Sequence, residues 1–284
     1  MPRRASTTLL GAAASGALLF LTWFTAFHVG VFEHADQSIY QGFVDLGQHG
    51  RLHALAERVA HLCDPSPYVY LAVVPIALAL ARGRPRLGLA VAVILLGSNL
   101  TTHLLKPLLA EPRPSSLFGG VDPIGAGSWP SGHATAAMSL ALACVVVAPA
   151  RLRPLAAAVG AAFAIAVSYS FLALGWHYPS DVLGGFLVAG SWTLLAVAAV
   201  SAADARKPRP EKPRTGRRLS VREAVAAPAA AMAGALVLAA PVALARPHEV
   251  ASFAQGHQAF VAGAMGIAVL GLLLATGVML ALRK

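Results

Sequence analysis

Charged residues are missing from eight long stretches of this chain, and this pattern restricts the fold more than any other feature. The stretches without Asp, Glu, Lys or Arg cover residues 5–32, 65–81, 87–105, 123–150, 154–180, 182–203, 224–245 and 250–282. Only 12% of all residues are charged, whereas a soluble domain carries roughly 25%. About 20 apolar residues cross a bilayer as a helix, and a spanning backbone must satisfy its hydrogen bonds internally. The sequence therefore predicts an all-α integral membrane protein with eight transmembrane helices.

The distribution of the basic residues shows what the net charge of +10 means. With the N-terminus in the cytoplasm, 17 of the 22 Lys and Arg residues fall in cytoplasmic segments. Such a bias fixes the orientation of a membrane protein, so we expect both termini in the cytoplasm. The basic excess then reflects topology and attraction to anionic lipid headgroups, and we expect no nucleic-acid partner.

The chain divides into a longer N-terminal part and a shorter C-terminal part. Residues 1–203 hold six predicted spans. Between the first two spans, the segment 33–64 has the apolar spacing of an amphipathic helix. We expect this helix either on the outer membrane surface or packed over the bundle. Residues 204–223 form a basic, Pro-rich linker. Residues 224–284 hold two additional C-terminal transmembrane helices with no reactive cluster.

Polar residues recur at three helix ends, all on the predicted extracytoplasmic face. Lys106 and Arg113 follow the third span. The sequence Pro-Ser-Gly-His at 130–133 opens the fourth, and the segment 170–181 joins the fifth to the sixth. Ionisable groups near a bilayer are costly and usually functional. These three ends therefore mark the candidate site.

The first two ends have the donors that a phosphate group needs. Lys106 and Arg113 supply cationic donors for phosphate oxygens. Ser131 and Gly132 lie where a helix begins, and the N–H groups and dipole of a helix N-terminus favour an anion. Together these residues predict a phosphate-binding site.

Two histidines accompany this predicted phosphate site. His133 and His177 provide a nucleophile and an acid, and Asp181 is available to orient one imidazole. Pro179 is suited to the first position of a helix, so we expect the sixth helix to begin there. Asp181 would then lie in the first turn, within reach of His177.

These residues resemble the phosphatidic acid phosphatase type 2 superfamily of membrane lipid-phosphate phosphatases. The family pattern is K-x6-R-P, P-S-G-H and S-R-x5-H-x3-D, in that order on a six-helix core. The matching residues are Lys106, Arg113 and Pro114, then Pro130 to His133, then Ser170, His177 and Asp181. Phe171 stands where the family has Arg. The resemblance covers roughly residues 1–203.

The resemblance implies a role for each matching residue. His177 attacks phosphorus to form a phosphohistidine, Asp181 supports it, and His133 protonates the leaving oxygen. The phosphoryl oxygens are held by Lys106, Arg113, Ser131 and Gly132, and no metal or other cofactor is implied. One electrostatic donor is worth about 10²–10³ in rate, so the missing Arg at 171 matters. Arg51, Arg58 and Arg246 are the predicted outer arginines that remain as substitutes.

We therefore expect a lipid phosphatase that acts at the outer leaflet on a lipid monophosphate or diphosphate. A polyprenyl diphosphate is the first expected substrate, and a phosphatidate-type glycerolipid is the second. Two alternatives stay open: a transferase of phosphoryl or headgroups, and a catalytically weak lipid-binding protein. Trp129, Trp176 and Tyr178 are expected in the aromatic belt of the membrane interface.

Overall fold

The computed structural model describes residues 2–109, 111–112, 124–206 and 247–283. Arg113, Pro114 and the predicted span at 224–245 lie outside the described residues. All regular secondary structure in the described ranges is helical. The α-helices are α1 (Pro2–His28), α2 (Gly30–Gly47), α3 (Gly50–Ala60), α4 (Pro65–Ala81), α5 (Pro85–Leu108), α6 (Gly132–Val147), α7 (Arg153–Ala173), α8 (Pro179–Arg206), α9 (Pro247–Gly256) and α10 (Gln258–Ala281), with 3-10 turns at His61–Cys63 and Ala150–Leu152.

Proline marks the start of six of these helices, including α1 and α9. Pro65, Pro85 and Pro154 occupy the first or second position of α4, α5 and α7, and α8 begins at Pro179. Proline has no N–H to leave unsatisfied there, and its fixed φ suits a helix start. The predicted start of α8 at Pro179 is confirmed.

Within the described residues, five helices are long and apolar enough to cross a membrane: α1 from Ala5 onward, α5, α7, α8 and α10. Residues Gly50–Cys63, which hold α3, qualify together with helix α4 as a sixth candidate span. The chain bends by 57° between these two parts. Helix α6 is apolar but has only 16 residues, fewer than the roughly 20 of a full span. The chain is thus a multi-pass membrane protein, while the count of eight spans stays a prediction.

Helix α6 lies at the centre of the bundle and packs against α5, α7 and α8. Thirteen of its 16 residues are buried, as expected of a helix that is apolar all round. Gly185 of α8 faces its first turn. A Cβ there would lie 2.8 Å from the carbonyl oxygen of Ser131 and 2.9 Å from the amide nitrogen of Thr135. Because only glycine permits this approach, the starts of α6 and α8 lie side by side.

The segment 33–64 folds as most of helix α2, helix α3 and the 3-10 turn that follows it. Helix α2 buries Asp36 and Tyr40, and α3 buries Ala56 and Ala60, while Leu55 is exposed. Both helices contact α7. The segment therefore contacts the bundle, while its position relative to the membrane surface stays a prediction.

The C-terminal helix α10 is docked against the upstream helices. It contacts α2, α6, α7 and α8. The hydroxyl of Tyr169 donates to the carbonyl oxygen of Ala264, and Nη1 of Arg153 donates to that of Leu282 over 2.7 Å. The described part of the C-terminal segment therefore extends the bundle.

Candidate active site

The turn between α7 and α8 presents the third motif. Gly175 has a φ of +73°, in the left-handed region that glycine adopts at little cost. The N–H of Gly175 donates to the carbonyl oxygen of Leu172, and that of Trp176 to the carbonyl oxygen of Phe171, both over 3.0 Å. This pair of bonds is the Schellman arrangement that ends many helices. It places His177 immediately before α8.

His177 and Asp181 form a buried pair. Nδ1 of His177 lies 3.1 Å from Oδ2 of Asp181, and the same oxygen accepts the backbone N–H of Tyr178 over 3.0 Å. An ionised carboxylate only accepts hydrogen bonds, so Nδ1–H of His177 donates. In the neutral ring, Nε2 is then the nitrogen with a free electron pair. The contact that the four-residue spacing suggested is present.

The charge state of His177 follows from its surroundings. Burial lowers the pKa of His177 below its ordinary value, Asp181 opposes this effect, and the positive charges of Lys106 and His133 add to it. The neutral imidazole is therefore favoured near pH 7. Lys106 lies in the last turn of α5, half-buried, and its charge acts on both His177 and Asp181.

The second motif is joined to the third by a backbone hydrogen bond. The N–H of Ser131 donates to the carbonyl oxygen of Asp181 over 2.9 Å, and Oγ of Ser131 accepts the N–H of Ala134 over 3.3 Å as the cap of α6. The predicted backbone donor at Ser131 is therefore already engaged. Gly132 and His133 hold the first two helical positions, whose N–H groups precede the intrahelical ladder. A Cβ on Gly132 would meet open space.

His133 has a carboxylate partner that the sequence did not reveal. Its Nε2 lies 3.0 Å from Oδ1 of Asp64, and Oδ2 of Asp64 lies 2.7 Å from Nδ1 of His61. Asp64 precedes Pro65 and has the sequence signature of a helix N-cap. Its side chain makes no capping bond to α4. The sequence signal at Asp64 was thus that of a helix cap, which predicts a bond to α4 and not the contact with His133.

Phe171 fills the position of the family's arginine with an apolar ring. It is fully buried, and its ring centroid lies 5.8 Å from that of His133 and 5.3 Å from that of His177. The ring centroid of Trp176 lies 5.8 Å from that of His133 and 5.7 Å from that of His61. Phe171 is therefore an aromatic neighbour of both His133 and His177.

Trp129 and Tyr178 are buried within the protein, so the expectation that they belong to an interfacial aromatic belt was wrong. The tight approach of α8 explains the burial of Trp129, since a Cβ on Gly184 would lie 2.8 Å from its Nε1. The hydroxyl of Ser170 donates to the carbonyl oxygen of Ala166 in its own helix over 2.8 Å.

Asp36 is a second carboxylate that the sequence did not reveal. Its oxygens accept the N–H of Ser180 over 2.9 Å and the hydroxyl of Ser180 over 2.6 Å. Both side chains are buried. A carboxylate at a helix N-terminus is stabilised by the N–H groups and the dipole there. Helix α2 thereby fixes the start of α8, where His177 and Asp181 lie.

The described members of the predicted site thus converge at one end of the bundle. Lys106 ends α5, His133 begins α6, and His177 and Asp181 flank the start of α8. A multi-pass helical bundle with two histidine–carboxylate pairs beside a lysine and a helix N-terminus has the features of a membrane phosphatase.

Comparisons with known proteins agree with this class. Residues 87–204 match the model of the PAP2 superfamily. A crystal structure described as the first transmembrane PAP2 type phosphatidylglycerolphosphate phosphatase, from Bacillus subtilis, shares the fold. It is matched over 70% of this chain and 99% of its own, with a TM-score of 0.56 and 21% identity. The comparison with curated proteins gave no match.

Proposed function

We propose that this protein is a lipid phosphate phosphatase that works through a phosphohistidine intermediate. The observation that carries the proposal is the state of His177: it is buried, favoured as the neutral ring, and held through Nδ1 by Asp181. A neutral imidazole with a free Nε2 beside cationic groups is the arrangement that nucleophilic attack on phosphorus needs.

In the first step, the Nε2 electron pair of His177 forms a bond to phosphorus while the bond from phosphorus to the lipid oxygen breaks. A protonated His133 gives its proton to that leaving oxygen. In the second step, water attacks the phosphohistidine, His133 takes a proton from the water, and the P–N bond breaks to release phosphate. Asp181 stabilises the positive charge that the ring of His177 carries between the steps.

Cationic and backbone donors hold the phosphoryl oxygens in this proposal. Lys106 and Arg113 supply charge, and the first-turn amides of α6 at Gly132 and His133 supply N–H donors. Ser131 contributes by capping α6 and by tying it to Asp181. Since these groups neutralise the phosphoryl charge, we propose a metal-independent reaction.

The substrate and the orientation are part of the proposal. A polyprenyl diphosphate is the first candidate, for which the leaving group is the lipid monophosphate. Phosphatidate-type glycerolipids, including phosphatidylglycerolphosphate, are the second. The bias of basic residues supports cytoplasmic termini and a site at the outer leaflet. We also propose a core at 1–203, a linker at 204–223 and two added C-terminal spans, as the charge-free stretches of the sequence indicate.

The test is phosphate release by the purified full-length protein in mixed micelles that contain defined lipid phosphates. We expect His177→Ala and His133→Ala to abolish release. His257→Ala is the matched control, because His257 is an outer histidine that also pairs with a carboxylate, that of Asp45. Unchanged release in both catalytic variants would contradict the mechanism. Mass spectrometry of products with added alcohol acceptors separates hydrolysis from transfer, since hydrolysis yields only phosphate and dephosphorylated lipid.

Phe171 favours one alternative, a catalytically weak lipid-binding protein on the same scaffold. Its buried ring stands where the family supplies a guanidinium. If this alternative holds, the wild-type protein binds lipid phosphates in the same micelles but releases no phosphate from any of them.

A further inference from the structure

Two carboxylates serve the two histidines of the candidate site, and only one of them belongs to the three motifs. We propose that Asp64 is a positioning residue for His133, and that it makes Nδ1 of His133 the nitrogen that exchanges a proton with the leaving group. This inference rests on the proposed phosphatase function and deepens it.

The hydrogen-bond geometry assigns the two nitrogens of His133. Oδ1 of Asp64 lies 3.0 Å from Nε2 of His133, and an ionised carboxylate accepts without donating. Nε2 therefore keeps its hydrogen in both charge states of the ring. The proton that is gained and lost is the one on Nδ1. This fixing of a tautomer through the other ring nitrogen is a general use of carboxylate partners.

Asp64 is itself held in place and charged. Its second oxygen lies 2.7 Å from Nδ1 of His61. Partial burial opposes ionisation, but the hydrogen bonds and charges of His133 and His61 outweigh it and lower the pKa of Asp64. The ionised carboxylate can accept the hydrogen on Nε2 of His133, which lies 3.0 Å from Oδ1, while the ring donates from Nδ1 to a leaving oxygen.

The surroundings of His133 leave Asp64 as the partner that sets the ring orientation. Phe171 and Trp176 contact the ring as apolar and aromatic neighbours, each with centroids 5.8 Å away. Neither offers a carboxylate. Asp64 lies between the turn His61–Cys63 and α4, whereas His133 lies in α6. The relative position of α4 and α6 therefore determines which ring nitrogen of His133 exchanges the proton.

The chain offers a closely matched control for Asp64. Asp45 pairs with Nε2 of His257, also over 3.0 Å. The side-chain exposures are 38% and 27% for Asp45 and His257, against 36% and 26% for Asp64 and His133. Asp45→Asn therefore removes the same kind of carboxylate contact at a place outside the site.

The experiment compares two classes of substrate with full-length Asp64→Asn and Asp45→Asn in micelles. When the P–O bond of a lipid monophosphate breaks, the lipid leaves as an alkoxide that needs the proton, whereas p-nitrophenyl phosphate releases a stable phenolate that does not. Acid–base groups contribute about 10²–10⁴ in rate. We expect Asp64→Asn to lower kcat for the lipid about 10- to 100-fold, as a part of that contribution. KM should stay near its wild-type value, the loss with the aryl phosphate should be much smaller, and Asp45→Asn should keep wild-type kcat.

The outcomes separate this inference from the proposed function. If the wild-type protein releases phosphate and His177→Ala does not, the function stands. An Asp64→Asn variant that then keeps full kcat, or loses the same factor with both substrates, overturns the role of Asp64. If Asp64→Asn does not fold, Asp64→Glu takes its place. A kcat loss that the glutamate variant shows with the lipid but not with the aryl phosphate supports the role, and equal behaviour with both substrates refutes it.

Discussion

Replacing Asp181 by Asn removes the negative charge beside His177 with little change of shape. Oδ2 of Asp181 accepts Nδ1–H of His177 over 3.1 Å and the N–H of Tyr178 over 3.0 Å. The amide oxygen of Asn can accept both of these bonds. The variant therefore tests what the charge contributes.

The size of the effect follows from the burial of the pair. Asp181 is fully buried, so solvent screens its charge little. A hydrogen bond to a charged group contributes about 1.5–3 kcal/mol. The contribution from Asp181 is largest when the ring of His177 carries a positive charge, as in the proposed phosphohistidine. A loss of this size lowers kcat by about 10- to 150-fold. Asp181→Ala also removes the hydrogen bond from the buried N–H of Tyr178 to Oδ2, which costs about a further 1–3 kcal/mol of folding stability.

The assay is phosphate release across a pH range, together with thermal unfolding of the same preparations. Asp181 raises the pKa of His177 against the lowering effect of burial. Its removal should therefore move the acid limb of kcat/KM to lower pH. A wild-type rate in Asp181→Asn, an acid limb that moves to higher pH, or equal melting temperatures for the Asn and Ala variants would refute this reasoning.

Three further predictions concern the same site. For the wild-type protein, the lowered pKa of His177 places the acid limb of kcat/KM below about pH 6.5, the ordinary value for histidine. A limb above that value would contradict the neutral nucleophile. Phe171→Arg puts an unpaired charge into a buried position, so we expect a stability loss of about 3–5 kcal/mol and reduced phosphate release relative to Phe171→Leu, whereas a large gain in rate would favour the weak-site alternative. Gly185→Ala forces the backbone of Ser131 away from α8 and should cost about 1–3 kcal/mol in unfolding measurements. Gly277→Ala, whose Cβ meets open space, should cost nothing.

The sequence predicted those features of the site that depend on local signals. Pro179 marks the start of α8 because proline suits the first helical position. That start puts Asp181 in the first turn, where a carboxylate can reach back to the residue before the helix. The contact between His177 and Asp181 spans four residues and follows from this geometry.

The carboxylates that act across the fold were not predictable in the same way. Asp64 contacts a histidine 69 positions away, and Asp36 contacts Ser180 across 144 positions. No periodicity or motif connects such pairs, because the packing of α2 and α4 against the bundle creates them. Asp64 even carries a competing local signal, since an aspartate before Pro65 is typical of a helix cap. Its carboxylate turns to His133 instead.

The difference in burial between the two histidine–carboxylate pairs supports their division of labour. The side chains of His177 and Asp181 are 10% and 0% exposed, whereas those of His133 and Asp64 are 26% and 36% exposed. Burial disfavours a charged imidazole, so the inner pair suits the ring that must attack as a neutral nucleophile. His133 and Asp64 are more exposed, so water can reach them. Water can therefore restore the proton that His133 gives to the leaving group and take up the one that His133 accepts later. If His177 were the acid instead, its buried ring would have to carry a positive charge before a phosphoryl group was bound to balance it. The difference in burial therefore supports the proposed roles of His177 as nucleophile and His133 as acid on grounds that do not depend on the family pattern.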